Sequence, residues 1–436
     1  MSIAQQVATA PPQLDHLSAR EKVVFAKIAW RILPLLSLAY IINFIDRNNV
    51  GFAGLTMIKD VGLTPAQFGF GVGILSAGYC LFEVPSNIAL YKFGARRWLA
   101  RIMISWGLIS MATLFTVGPY SFYGLRFLLG AAEAGFFPGA AFYLTLWFPA
   151  EYRARIYAWF LISIPASTFV AGPLSSLLLE LDQALGLAGW QWLFLCEGLP
   201  AVIVGVLLLF WLSDRPSSAA WLSDEEKAIV AGRIGAEKKE RERHNIWQSI
   251  RDPRVLILAL NQFTFLVGSY GVVIFLPLIL KQQNFSNFTV GFLAAVPALI
   301  ACVAMIYWAG VVDRSGKKID HLIYTCLLSS AGMVIAVYAP TFIIPFLGLT
   351  AVLVGTSTAR AILWTIPTRF LSGIGAAAGL AFINSVGTLG GFVGPFIMGW
   401  TRGETGSYNV GLLVLAGFMV VSMLLGLSLK LFIKNE

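Results

Sequence analysis

Twelve apolar runs divide this chain, at about 29–54, 67–91, 98–118, 120–147, 153–180, 190–212, 254–281, 288–312, 321–339, 341–368, 372–400 and 408–432. Each is long enough to cross a bilayer as a helix, because roughly 20 residues at about 1.5 Å rise span the hydrocarbon layer. In lipid every backbone N–H and C=O must be satisfied within the protein, so apolar runs of this length become helices. Only 12% of the residues are charged, where a soluble domain carries about 25%. The expected fold class is therefore all-α: a polytopic membrane protein with twelve transmembrane helices in two six-helix bundles.

The only long polar stretch, 213–253, separates spans one to six from spans seven to twelve. The chain thus divides into an N-terminal segment 1–28, a bundle over 29–212, a linker over 213–253 and a bundle over 254–433. Ser223 and Glu226 fit a capping box at the start of a charged helical run in the linker. Pro119 and Pro340 mark tight turns between spans. A Gly-rich basic turn follows the second span of each half, at Phe93-Gly94-Ala95-Arg96-Arg97 and Asp313-Arg314-Ser315-Gly316-Lys317-Lys318. Such repeats suit a transporter whose site lies near the midplane between halves.

The net charge of +9 is read as topogenic, because the basic residues are spread over loops and do not form a nucleic-acid face. With the N-terminus inside, 24 Lys and Arg fall in cytoplasmic segments and three, Lys59, Lys281 and Arg402, fall outside. Both termini are expected in the cytoplasm of a bacterium, with the chain in its inner membrane. Residues 1–28 carry no apolar signal region, so the first span serves as its own insertion signal. The four cysteines, Cys80, Cys196, Cys302 and Cys326, lie in apolar runs and read as small buried hydrophobes. His16, His244 and His321 lie in loops or at a helix edge, and no phosphate-binding loop occurs. No metal, cofactor or nucleic acid is expected. The lipid bilayer is the expected surrounding and the monomer the expected state.

Charged side chains at bilayer depth cost about 2.5–3.5 kcal/mol on insertion scales, so they mark sites or internal ties. Here they are Asp46, Arg47, Glu83, Arg126, Glu133, Glu197 and Arg360. Asp46 and Arg47 on the first span match the depth of Arg126 on the antiparallel fourth span. Glu133 follows Arg126 by two turns on one face, about 10 Å deeper. Two acids and two bases at reachable depths suit an anion and proton site; a static salt-bridge tie is the alternative. Asp46 and Glu133 are the candidate proton carriers, and Arg47 and Arg126 the candidate anion holders. Tyr40, Phe44 and Arg47 fall at i, i+4 and i+7, one face that either holds a carboxylate with an organic body or packs in the core. Tyr79, Gln262, Trp364, Thr365, Asn384 and Ser385 are the neutral candidates for lining the cavity, with Asn261 and Thr388 beside them. Glu83 and Glu197 read mainly as structural partners. Arg360 either lines the path or caps a neighbouring helix.

Gly310-x-x-Asp313-Arg314-x-Gly316-Lys317-Lys318 resembles the signature loop of the major facilitator superfamily, and Arg126-x-x-x-Gly130 its fourth-helix motif. The first-half copy departs from it, with Tyr91 at the acid position and Ile88 at the first glycine. Asn43-Phe44-Ile45-Asp46-Arg47-Asn48-Asn49, Glu83-Val84-Pro85-Ser86-Asn87, Arg126-Phe127-x-x-Gly130-x-x-Glu133-Ala134-Gly135 and Asn384-Ser385-x-Gly387 are similar to the anion:cation symporter family. The resemblance runs from about residue 28 to 432. It implies proton-coupled uptake of an organic carboxylate by alternating access, with the paired acids at Asp46 and Glu133 and their arginines at Arg47 and Arg126. It also implies a conformational lock at Gly94, Arg96, Asp313, Arg314 and Gly316. Within the family it looks most like carriers of tartrate, phthalate, hydroxyphenylacetate and galactonate; Phe44, where some carry tyrosine, weakens the case for a sugar acid. A facilitator or exchanger without proton coupling is the nearest rival, and a membrane-embedded enzyme the remote one. The charge asymmetry makes one direct prediction. A cysteine placed at Ser217 should react with an impermeant thiol reagent from the cytoplasmic side only, and labelling from outside in intact cells would overturn the orientation.

Overall fold

The computed structural model describes residues 19–239, 250–339, 341–367, 370 and 373–433. Among these residues, twelve helices are long and apolar enough to cross a membrane: Ala19–Asp60, Pro65–Phe93, Ala95–Phe115, Pro119–Trp147, Glu151–Leu179, Gly189–Trp211, Pro253–Lys281, Asn287–Val312, Lys318–Tyr338, Ile343–Leu363, Gly379–Thr405 and Asn409–Phe432. They coincide with the twelve apolar runs, and the fold is all-α as expected. Within the first half the third span packs on the sixth and the second on the fourth. Within the second half the ninth packs on the tenth and twelfth. Across the halves the first meets the seventh, the second the eleventh and the fifth the eighth.

Three local departures from the sequence reading have physical causes. The first helix begins at Ala19, ten residues before the apolar run. Its polar extension is held by the linker helix Asp224–Lys239 through Arg20–Glu225, Lys27–Glu226 and Glu21–Arg233 ion pairs. Lys27 beside Glu226 holds that carboxyl below the usual carboxylate range. Ser223 and Glu226 form the expected reciprocal cap, at 2.9 and 3.2 Å. The fourth span, expected unbroken, divides after Glu133, where Ala134 leaves the helix and Gly135 takes φ 86°. Only glycine adopts that region without strain, and a Cβ there would meet the Ser86 hydroxyl. The eleventh span is divided only slightly at Leu389, between Gly373–Thr388 and Gly390–Thr405, since Leu389 keeps helical φ −61° and ψ −27°. Pro119 opens the fourth span as its first helical residue, whereas Pro340 lies outside the described residues.

The face of the molecule remote from the linker is closed by backbone-to-backbone packing between the halves. A Cβ on Gly51 would stand 2.1 Å from the Ile274 carbonyl oxygen, and one on Gly172 would stand 2.4 Å from that of Gly291. Gly69 and Gly73 of the second span meet Pro395, Gly399 and Phe392 of the eleventh in the same way. Phe68 and Phe275 meet edge to face over this seal, 5.9 Å apart. Small residues allow this approach where lipid offers no hydrophobic drive between helices. Gly172→Leu should therefore force the fifth and eighth spans apart. In a background with the four native cysteines replaced by serine, a cysteine at the buried Phe275 should then label several times faster with a thiol reagent. Unchanged labelling would mean that the closure does not depend on this contact.

Candidate functional site

The first span buries an unusual stretch: Asn43, Asp46 and Asn49 are all at most 2% exposed. A carboxylate so deep must find donors. Trp106 of the third span donates its indole N–H to Asp46 Oδ2 at 2.9 Å, and Ser110 donates to Oδ1 at 3.0 Å. The Asn49 amide lies 3.4 Å from Oδ1. These partners are all neutral. No ion pair joins Asp46 to Arg126 among the described residues; indole and hydroxyl take the place that the sequence reading gave to the arginine.

Arg47 turns the other way. Its Nε donates to Glu133 Oε2 at 2.7 Å, joining the first span to the last helical residue before the break in the fourth. Glu133 is fully buried and the Arg47 side chain 17% exposed, so one partner of the pair remains partly accessible. The guanidinium lies 4.7 Å from the Tyr79 ring centroid and 5.8 Å from that of Phe44. Stacking on aromatic faces suits the weakly hydrated guanidinium. Arg126 is 1% exposed, and its Nε and Nη1 have no hydrogen-bond partner among the described residues. Glu133 Oε1 is likewise free of one. Unpaired atoms on both sides of a buried acid–base cluster leave it able to take a further ligand or proton.

The other candidates divide. Tyr40 stacks on Phe160 at 4.5 Å and packs on Phe44, Phe136 and Phe137, so it belongs to an aromatic core behind Arg47. Gln262 is buried with its carbonyl oxygen unpartnered. Asn261 gives its amide to the Ser422 carbonyl at 2.6 Å, and the Thr365 hydroxyl bonds Ile362 of its own chain end. Trp364 caps the tenth helix and is part-exposed. Asn384 and Ser385 donate to Glu83 at 2.6 and 3.2 Å, tying the eleventh span to the second on the linker side. Glu83, read from sequence as a support for a helix end, is instead a link between halves. Glu197 is buried and accepts from Ser175 at 2.7 Å.

The residues expected to form a lock also find partners. Gly94 takes φ 89° after the second span, and the Arg96 amide donates to Asp214 at 2.9 Å, with its side chain 4.0 Å from the same carboxylate. Asp214 at the start of the linker thus supplies the acid that Tyr91 lacks. Gly316 ends the eighth helix at φ 70° after Arg314; the side chain of Asp313 lies outside the described residues.

Four participants escaped the sequence reading. Trp106 and Ser110, four apart on one face of the third span, hold Asp46. Tyr270 lies within electrostatic reach of both Arg47 and Arg360, and Ser269 accepts from Arg360 at 3.3 Å. The available signal was a polar pair at helical spacing inside an apolar run.

The pattern of the Major Facilitator Superfamily matches residues 36–395. A protein of Agrobacterium vitis named "Putative tartrate transporter" is 48% identical over 417 residues, which cover 95% of this chain and 92% of that one. A "Quinolone resistance transporter" of Acinetobacter baumannii is 41% identical over 94% of each chain. Among solved structures, a bacterial homolog of the human lysosomal transporter Spinster, in an inward-facing and occupied conformation, aligns over 92% of this chain and 97% of its own. Its TM-score is 0.75 at 15% identity, a likeness of fold. Twelve spans in two halves, a buried acid–base cluster within the first and these relatives agree: the chain is a multi-pass membrane transporter, not an enzyme, and belongs to the Major Facilitator Superfamily.

Proposed function

We propose that this transporter is a proton-coupled symporter that imports an organic carboxylate across a bacterial inner membrane, with the linker face in the cytoplasm. The observation that carries this reading is the Arg47–Glu133 pair at bilayer depth, partly accessible at Arg47, together with a buried Arg126 whose Nε and Nη1 have no hydrogen-bond partner among the described residues. The tartrate-transporter name of a 48% identical relative points to the same chemistry.

The cycle follows from charge balance at low dielectric. In the empty protein Glu133 neutralises Arg47. An entering carboxylate competes for the Arg47 guanidinium, whose planar fork matches a carboxylate through two parallel N–H donors. Glu133 then shares or loses its cation, and a buried carboxylate without a cation gains reason to bind a proton. With Glu133 protonated and the substrate on Arg47, the loaded site is neutral at that arginine. The cavity then closes without burying an uncompensated charge, which costs about 3–5 kcal/mol when a buried pair is broken. Asp46 has only neutral hydrogen-bond donors and lies within the field of Glu133 and Arg126, and it serves as the second proton group on the outer side. Release to the cytoplasm returns Arg47 to Glu133 as the proton leaves.

Glu133→Gln and Asp46→Asn are therefore expected to lose accumulation driven by an imposed pH gradient in proteoliposomes, by tenfold or more. At least one should keep substrate counterflow at equal pH. Gradient-driven accumulation by both neutral variants would place the proton path elsewhere, with Glu83 the next residue to test. A wild type that carries substrate but ignores the gradient would be a facilitator.

A further inference from the structure

One intramembrane cation is not used by the cycle above. Arg360 sits in the last turn of the tenth span, where a basic residue normally complements the helix C-terminus. It does not turn toward those carbonyls. A helical side chain leans toward the N-terminus of its helix, here toward the middle of the membrane. There Nη2 donates to Ser269 at 3.3 Å, and the guanidinium lies 5.8 Å from the Phe265 ring centroid and 5.6 Å from that of Tyr270. No acid pairs with it among the described residues. Arg126, another intramembrane arginine without an ion pair among the described residues, differs, since it is buried within the field of Asp46 and Glu133. Arg360 has no acidic neighbour in an ion pair among the described residues and is half-buried.

Tyr270 places Arg360 relative to the carboxylate site. It lies on the seventh span and within reach of both Arg360 and Arg47. Two arginines, one from each half, therefore act on a single tyrosine side chain. Gln262 lies on the Phe265–Ser269 face of the same span, its buried carbonyl oxygen still wanting a donor.

We infer that Arg360 is a second carboxylate-binding residue, so that the substrate is a small dicarboxylate bridging Arg47 of the first half and Arg360 of the second. This deepens the carboxylate reading above and rests on it. With Glu133 protonated, one substrate carboxylate balances Arg47. A monocarboxylate would leave Arg360 bare when the cavity closes, at the cost of an unpaired intramembrane cation. A dicarboxylate pairs both arginines and ties the halves together through the ligand. A hydroxyl on the carbon chain would meet the free acceptor of Gln262.

The test needs two probes of nearly equal shape, tartrate and its monoamide, in which one carboxylate becomes a neutral amide. Binding is read by thermal shift or calorimetry on purified protein, and uptake in proteoliposomes. Wild-type protein should bind tartrate at least about tenfold more tightly than the monoamide, as expected for one charge-assisted contact. Arg360→Gln should lose that preference while its affinity for the monoamide stays within about twofold. Equal wild-type affinity for the two probes would overturn the inference and leave the carboxylate reading standing, and this comparison needs no variant to fold. A preference that survives in Arg360→Gln would also overturn it. Binding of neither probe nor any other carboxylate would defeat the reading beneath it.

Discussion

A charge held at bilayer depth must have a counter-charge or a proton, and the first half of this molecule is organised around that requirement. Arg47 meets Glu133 at 2.7 Å because the fourth helix stops at Glu133 and the first presents Arg47 at the same depth. Asp46, one residue earlier, points to a different helix and is satisfied by an indole and a hydroxyl. Two adjacent residues of one helix thus serve two carboxyl sites with different partners, one a guanidinium and the other an indole and a hydroxyl. Behind them the stacked rings of Tyr40, Phe137 and Phe160 exclude water, which strengthens every polar interaction in front.

The packing between the halves complements this arrangement. The face remote from the linker is sealed by glycines against carbonyl oxygens, a contact without charge that depends on shape alone. Toward the linker the tie is polar: Glu83 accepts from Asn384 and Ser385. A seal built of backbone surfaces and a tie built of hydrogen bonds respond to different things, the first to steric fit and the second to the charge state of Glu83. Asp214 adds a fixed point by joining the linker to the turn at Gly94 and Arg96.

The twelve spans could be read from the sequence because lipid allows a chain little choice: long apolar runs become helices, and their ends follow charge and proline. The charged pairs could be read because charges at depth are rare. The helix break after Glu133 could not, because apolar residues continue through it, and the one mark, Gly135, resembles any packing glycine until its φ of 86° is known. Trp106 and Tyr270 stayed hidden for a similar reason. Each has a polar edge on an apolar ring, and only the packing decides whether that edge faces lipid, core or a carboxylate. Asn384 and Ser385 were picked as polar residues on a cavity face, but their donors are already engaged by Glu83. Polarity locates an interface; it does not identify the partner.

The central claim is that a substrate carboxylate displaces Glu133 from Arg47 and leaves a proton on it. Infrared difference spectroscopy on the purified protein in lipid reads this directly, by adding tartrate at constant pH. A protonated-carboxyl C=O band should appear on binding and be absent from Glu133→Gln, while the same addition to Asp46→Asn keeps it. Saturating binding with no new band, or a band that persists in Glu133→Gln, would contradict the exchange at Arg47.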